Sequence, residues 1–147
     1  RNVASPSINS LKRICDALSI PLASLFDDEK FDELANNTVV RKENRKKLSY
    51  SGSKAEMYLL SPDLSRKMEL ILILAQPGGR SGKDFYRHKG EECGMVIKGT
   101  LTIGLEDKVY ILREGDSAYF PSETPHRWKN EGTEESISIW AITPPSF

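Results

Sequence analysis

The sequence predicts a mainly β protein, one barrel or sandwich preceded by a short helical segment. Three observations predict it. From about Thr38 onward, short runs rich in β-branched and aromatic residues recur between Gly and Pro breaks. The first 26 residues carry helical rather than strand periodicity. The longest apolar run, Leu70 to Ala75, is strand-sized and far short of the roughly 20 residues that cross a bilayer.

Composition narrows the class. The chain has 147 residues, a formal net charge of zero, 38% hydrophobic and 29% charged residues. That is an ordinary soluble balance, long enough for one full domain and a fragment of another. Zero net charge supplies no long-range attraction to nucleic acid or acidic membranes. Cys15 and Cys93 lie too far apart in sequence to suggest a disulfide framework, so a reducing, cytoplasmic setting is expected. The first residue is Arg1 and no signal peptide is visible, which reads as a piece of a longer protein.

Taken in order, Ser7 to Ser10 offer helix caps before an apolar stripe of Leu11, Ile14, Cys15 and Leu18. Pro21 breaks it, and Leu22, Leu25 and Phe26 suggest a second short helix. Two such helices cannot bury a core alone. Residues 27–47 read as a polar linker ending in the charged run Arg41 to Lys47, a solvated stretch or strand face. Residues 48–147 form the β domain. Its expected strands are Met57–Leu60, Met68–Ala75, Phe85–His88, Cys93–Ile97, Leu101–Leu105, Val109–Leu112, Ala118–Phe120, His126–Trp128 and Ile137–Ile142. Closing such a sheet on itself hides edges that would otherwise aggregate.

Two stretches carry chemistry. The first runs Tyr86, Arg87, His88, Lys89, Gly90, Glu91, Glu92, and after six residues reaches Gly99. Residues two apart on a strand share a face, so Tyr86 and His88 point the same way. The Lys89–Gly90 turn lets Glu92 meet His88 across adjacent strands. The second stretch places Gly115, Pro121, His126 and Asn130 in order. Two imidazoles and a carboxylate converging in a barrel can hold a divalent metal and leave positions open. The aromatics Tyr86, Tyr119, Trp128 and Trp140 are candidates to line the interior; Trp128 shares a face with His126. Cys93 reads as a small buried hydrophobe and Cys15 as packing. Glu91 reads as outward-facing or as a cap on the turn, and Arg80, Lys83, Arg87 and Arg113 as surface charges.

These stretches resemble the two cupin motifs. His88 stands where the first motif has its second His, and Glu92 and Gly99 keep the spacing; Tyr86 replaces the first His. In the second motif Gly115, Pro121, His126 and Asn130 match, and Glu123 replaces the middle Gly. The N-terminal pattern Ser5 to Leu11, Ile14–Cys15, Ala17–Leu18, Ile20 to Leu22 and Leu25–Phe26 resembles the tail of an XRE-type, lambda-repressor-like helix-turn-helix domain. Together they resemble the XRE-type helix-turn-helix/cupin transcription regulators, the putrescine-utilisation repressors among them.

The resemblance implies a cupin barrel (a double-stranded β-helix, or jelly-roll) at 48–147, a linker at 27–47, and the last helices of a DNA-binding domain at 1–26. The recognition helix, which would enter the major groove, is absent from this chain. The implied function is effector sensing. A small molecule such as a polyamine, amino acid or related amine binds Tyr86, His88, Glu92, Tyr119, His126 and Trp128, and modulates operator binding by a cytoplasmic homodimer. Operator DNA is then a partner of the full-length protein only, and the membrane is not a partner. His88, Glu92 and His126 are also candidate ligands for a single divalent metal (Fe, Ni, Mn or Zn), although loss of the first His to Tyr86 removes one donor. The alternative is an enzyme: a mononuclear metal-dependent cupin of the epoxidase or dioxygenase type using the same three residues, with no further catalytic group marked by spacing.

Overall fold

The computed structural model describes residues 8–18, 38–48 and 53–147. Among them are one helix, α1 (Ile8–Leu18), one 3-10 turn at Lys42–Asn44, and nine strands: β1 (Lys46–Lys47), β2 (Ala55–Leu59), β3 (Glu69–Ala75), β4 (Glu91–Lys98), β5 (Thr100–Leu105), β6 (Lys108–Arg113), β7 (Ser117–Pro121), β8 (His126–Lys129) and β9 (Ser136–Thr143). The fold is mainly β, as expected. On α1, Cys15 is buried and Leu11 packs against the core, while Ile14 stays half exposed. The expected second helix at Leu22–Phe26 lies outside the described residues. A single helix does not establish a helix-turn-helix remnant.

All the strand pairs are antiparallel. A six-stranded sheet runs β1-β2-β3-β9-β4-β7, and a three-stranded sheet runs β6-β5-β8. Alternation explains the inward faces: β3 and β9 bury every second residue along their length, as a half-covered antiparallel sheet must. Leu59, Ile71 and Trp140 form one buried row. Leu101, Ile103, Leu112 and Trp128 face them from the second sheet. The next row across the large sheet is Glu69, Ile142, Glu92 and Phe120. It carries two buried carboxylates into the interior.

One expected strand is absent. Residues 85–88 make only an isolated bridge, Tyr86 with His126. The Tyr86 N–H donates to the His126 carbonyl at 3.0 Å and the His126 N–H to the Tyr86 carbonyl at 2.9 Å. The next contact of the segment goes elsewhere: the His88 N–H donates to the Ser122 carbonyl at 3.0 Å. The chain therefore pairs with β8 for one residue and then with the loop before β8, too briefly for a ladder. At the other end of the domain, Lys46–Lys47 of the basic run join the sheet edge against β2.

Candidate functional site

His126 opens β8 on the small sheet and Glu92 lies on β4 of the large one, so the site spans the barrel. His88 comes from the loop between β3 and β4. It reaches Glu92 over the turn at Gly90, whose φ of +101° and close approach to the Thr143 carbonyl exclude a side chain. The expectation that these two residues meet across adjacent strands is thus replaced by a meeting across a turn. His126 and Glu92 are almost fully buried, and the His88 side chain is 9% exposed.

Glu92 Oε1 lies 2.7 Å from His88 Nε2 and 3.0 Å from His126 Nε2. The opposite ring nitrogens fix the imidazoles. His126 Nδ1–H donates to the Thr124 carbonyl at 2.8 Å and His88 Nδ1–H to the Lys89 carbonyl at 3.2 Å. A carbonyl can only accept, so each Nδ1 carries a proton. In a neutral imidazole the Nε2 then holds a lone pair. With both rings neutral, three buried electron-rich atoms converge and none can donate to another. Such a cluster needs positive charge, as protons on the rings or as a cation. Burial pushes the Glu92 carboxyl up, but the hydrogen-bonding and charge influence of His126, then His88, outweighs it and holds the group at about 2.

The donor set fits a divalent metal. Ligand atoms about 2.1 Å from a metal and at right angles to each other stand ~3.0 Å apart, close to the two separations from Oε1. All three donor atoms lie within 4.8 Å of one another. The backbone carbonyls on Nδ1 are the outer partners that metal-binding histidines ordinarily require.

Around the triad, the cavity is walled by Met57, Ile71, Ile73, Ile103 and Ile142, with Tyr86, Phe120, Trp128 and Trp140 as its aromatic faces. The Tyr86 ring stands 4.1 Å from the His126 ring, edge to face, and stacks on His88 at 6.2 Å. Its innermost part has room for a few waters or an ion, and beyond it the cavity opens to the protein surface.

Five of the six candidate site residues, Tyr86, His88, Glu92, His126 and Trp128, line this one cavity. Tyr119 does not. It is 63% exposed on the outer face of β7, where its hydroxyl donates to Glu91 Oε2 at 2.5 Å. Its neighbour Phe120 points inward instead, because the strand period of two allows only one of them inside. Cys93 is likewise exposed rather than buried, on the face of β4 opposite Glu92. Arg80, Lys83, Arg87 and Arg113 are surface residues. Sequence reasoning did not single out Phe120, Ser81 or Phe147. For Phe120 the period-two rule offered the choice but not the phase; for Phe147 nothing in the sequence placed it at the cavity. Asn130, matched by the motif, is a bracket rather than a ligand: its amide donates to the Ala75 and Glu134 carbonyls at 2.8 and 2.7 Å, and its oxygen accepts from the Gly132 N–H at 2.9 Å.

Two antiparallel sheets enclose the His, Glu, His cluster, and residues 71–142 match the family model for the Cupin domain, Cupin_2. The chain's similarities extend to helix-turn-helix regulators. It is similar to the HTH-type transcriptional regulator PuuR of Escherichia coli (strain K12), at 26% identity over 97% of this chain and 76% of that protein. In fold it is similar to an HTH_3 family transcriptional regulator from Vibrio cholerae, with a TM-score of 0.69 at 17% identity over 95% of this chain and 73% of that one. It is also similar to the Cupin_2 domain of an XRE family transcriptional regulator from Enterobacter cloacae, with a TM-score of 0.55 at 20% identity over 61% of this chain and 96% of that one. No helix among the described residues is long and apolar enough to cross a membrane.

Proposed function

We propose that this chain is the effector-sensing part of a helix-turn-helix transcription regulator. Residues 1–26 would be the last helices of the DNA-binding domain and 27–47 the connection to the cupin. The observation that carries the reading is the buried convergence of His88, Glu92 and His126 in a cavity that offers few other groups for chemistry. The likeness to PuuR over nearly the whole chain supports a regulator rather than a free-standing enzyme. The effector acts only through its differential affinity for two arrangements of the protein. Operator DNA and a second copy of the chain are partners of the full-length, cytoplasmic regulator.

His88, Glu92 and His126 would hold a divalent metal. Bound there, it would supply a Lewis-acid anchor for an oxygen or nitrogen donor of the effector. The protein's own part is to fix both imidazoles through their Nδ1–H bonds, to keep Glu92 ionised, and to exclude bulk water with aromatic walls. A second reading has support in those walls: without a metal, anionic Glu92 beside the faces of Tyr86, Trp128 and Trp140 suits an organic ammonium, each cation–π contact contributing about 0.5–2 kcal/mol.

Elemental analysis of protein purified without chelator, followed by calorimetry with polyamines and amino acids, tests both. One metal per chain supports the first reading, and heat from amines with the metal-free protein supports the second. Iron accompanied by substrate-dependent oxygen consumption would replace the sensor with an oxygenase. Neither metal nor heat would remove the sensor reading.

A further inference from the structure

An antiparallel sheet with one face in water turns its polar residues toward that water. The large sheet reverses this. On β9, Ser136 and Ser138 are buried inside while Ile137 and Ile139 face out. On β3, Leu70, Leu72 and Leu74 face out and stay half-buried. Register carries this outer face across the sheet. Tyr58, Leu72, Ile139 and Met95 form one row, with Leu74 and Ile137 on one side of it and Leu70, Ala141 and Cys93 on the other. Met95 is 44% exposed, and Cys93 is exposed as well. Polar pairs close the face at both edges, Lys47 with Glu56 at one and Glu91 with Tyr119 at the other. An uncharged apolar centre inside a polar rim is the anatomy of a protein interface.

From this arrangement we infer that the outer face of β2-β3-β9-β4-β7 is the seam between two copies of this chain, packed sheet on sheet about a two-fold axis near Ile139. The inference deepens the proposed reading of this chain as part of a dimeric regulator. Five strands and three rows of side chains make a face of roughly 24 by 20 Å. Two copies together then remove on the order of 1,000 Å2 from water, which is what a specific interface requires. Antiparallel faces pack on one another with their strands nearly aligned, and identical faces match in extent. The zero net charge of the chain sets up no repulsion between copies. Val109 and Ile111 of the small sheet are individually more exposed, but their outer face also carries Arg113, Arg127 and Lys129. Stacking two copies there would oppose like charges.

Analytical ultracentrifugation of the 147-residue chain tests it. At about 100 µM the parent should sediment at twice the 16.5 kDa chain mass. Ile139→Lys sets a charge at the middle of the seam and should weaken the dimer at least a hundred-fold, with circular dichroism confirming a folded sheet. Ile111→Glu, on the other sheet, should leave the dimer intact. Cys93 gives a reading without substitution should either variant fail to fold. Its alkylation by N-ethylmaleimide, mapped by mass apart from the buried Cys15, should slow at least ten-fold as rising concentration carries the protein from monomer to dimer. A monomeric parent, a folded Ile139→Lys protein that stays dimeric, a folded Ile111→Glu protein that dissociates, or a Cys93 equally reactive in monomer and dimer overturns the seam. Cys93 protected in a monomer also overturns it, and assigns the face to another segment of the same chain. None of these readings needs an effector. A dimer joined at this face that binds neither metal nor amine keeps the seam and removes the sensor; a monomer that binds either keeps the sensor and removes the seam.

Discussion

Replacing Gly94 with Ala should distort the cavity from behind. Gly94 faces inward on β4, opposite Trp140 on β9. A Cβ there would stand within 2.5 Å of three Trp140 ring carbons, Cδ2, Cε3 and Cε2. Ordinary contact begins near 3.4 Å, so the indole must retreat by about 1 Å. Its Nε1–H is tied to the Ser138 hydroxyl at 3.1 Å and Phe120 stands 6.1 Å away, so the ring has the cavity to move into. Overpacking of this kind costs about 1–3 kcal/mol, and a rigid indole against backbone belongs at the upper end. For a domain of this size, ~3 kcal/mol lowers the melting temperature by roughly 6–12 °C. Thermal unfolding followed by circular dichroism measures it, and Trp140→Phe in the Gly94→Ala background should recover more than about 1 kcal/mol as coupling. A Gly94→Ala protein melting within about 2 °C of the parent, or strictly additive with Trp140→Phe, would refute this account of the packing.

Further outcomes follow from the same geometry. Asn130→Ala removes a buried bracket holding three backbone groups and should cost about 3 kcal/mol in denaturant unfolding. Tyr119→Ala should leave metal and amine binding within two-fold of the parent by calorimetry, because this ring lies outside the cavity. Glu92 gives the pH dependence of the metal-free protein. Its carboxyl is held at about 2 against an ordinary 4.5, so its contribution, on the order of 3 kcal/mol, is fully present above pH 4.5 and fades as pH falls toward 2. Glu92→Gln should flatten that part of the stability profile; a profile unchanged by the substitution would contradict the depressed carboxyl.

Much of the barrel was legible because strand alternation and Gly/Pro punctuation are local signals. Eight of the nine expected strands appear within a few residues of their expected ends. The exception, residues 85–88, failed because pairing partners are not local: Tyr86 bonds to His126 and His88 to Ser122, so two partners share what one strand would have taken. The triad was legible through motif spacing, since His88 and Glu92 sit four apart over a glycine turn. Tyr119 was misplaced because a period of two fixes which residues share a face but not which face is inside. Phe147 escaped notice because its place depends on Glu69, 78 residues away.

The central claim is that His88, Glu92 and His126 form one cation site. Titrating the metal-free protein with Co(II), followed by its visible absorption, tests it most directly. The expected result is saturation at one equivalent per chain, with affinity lowered at least ten-fold by each of His88→Ala, Glu92→Ala and His126→Ala. Binding that survives all three substitutions, or no binding to the folded parent, would contradict it.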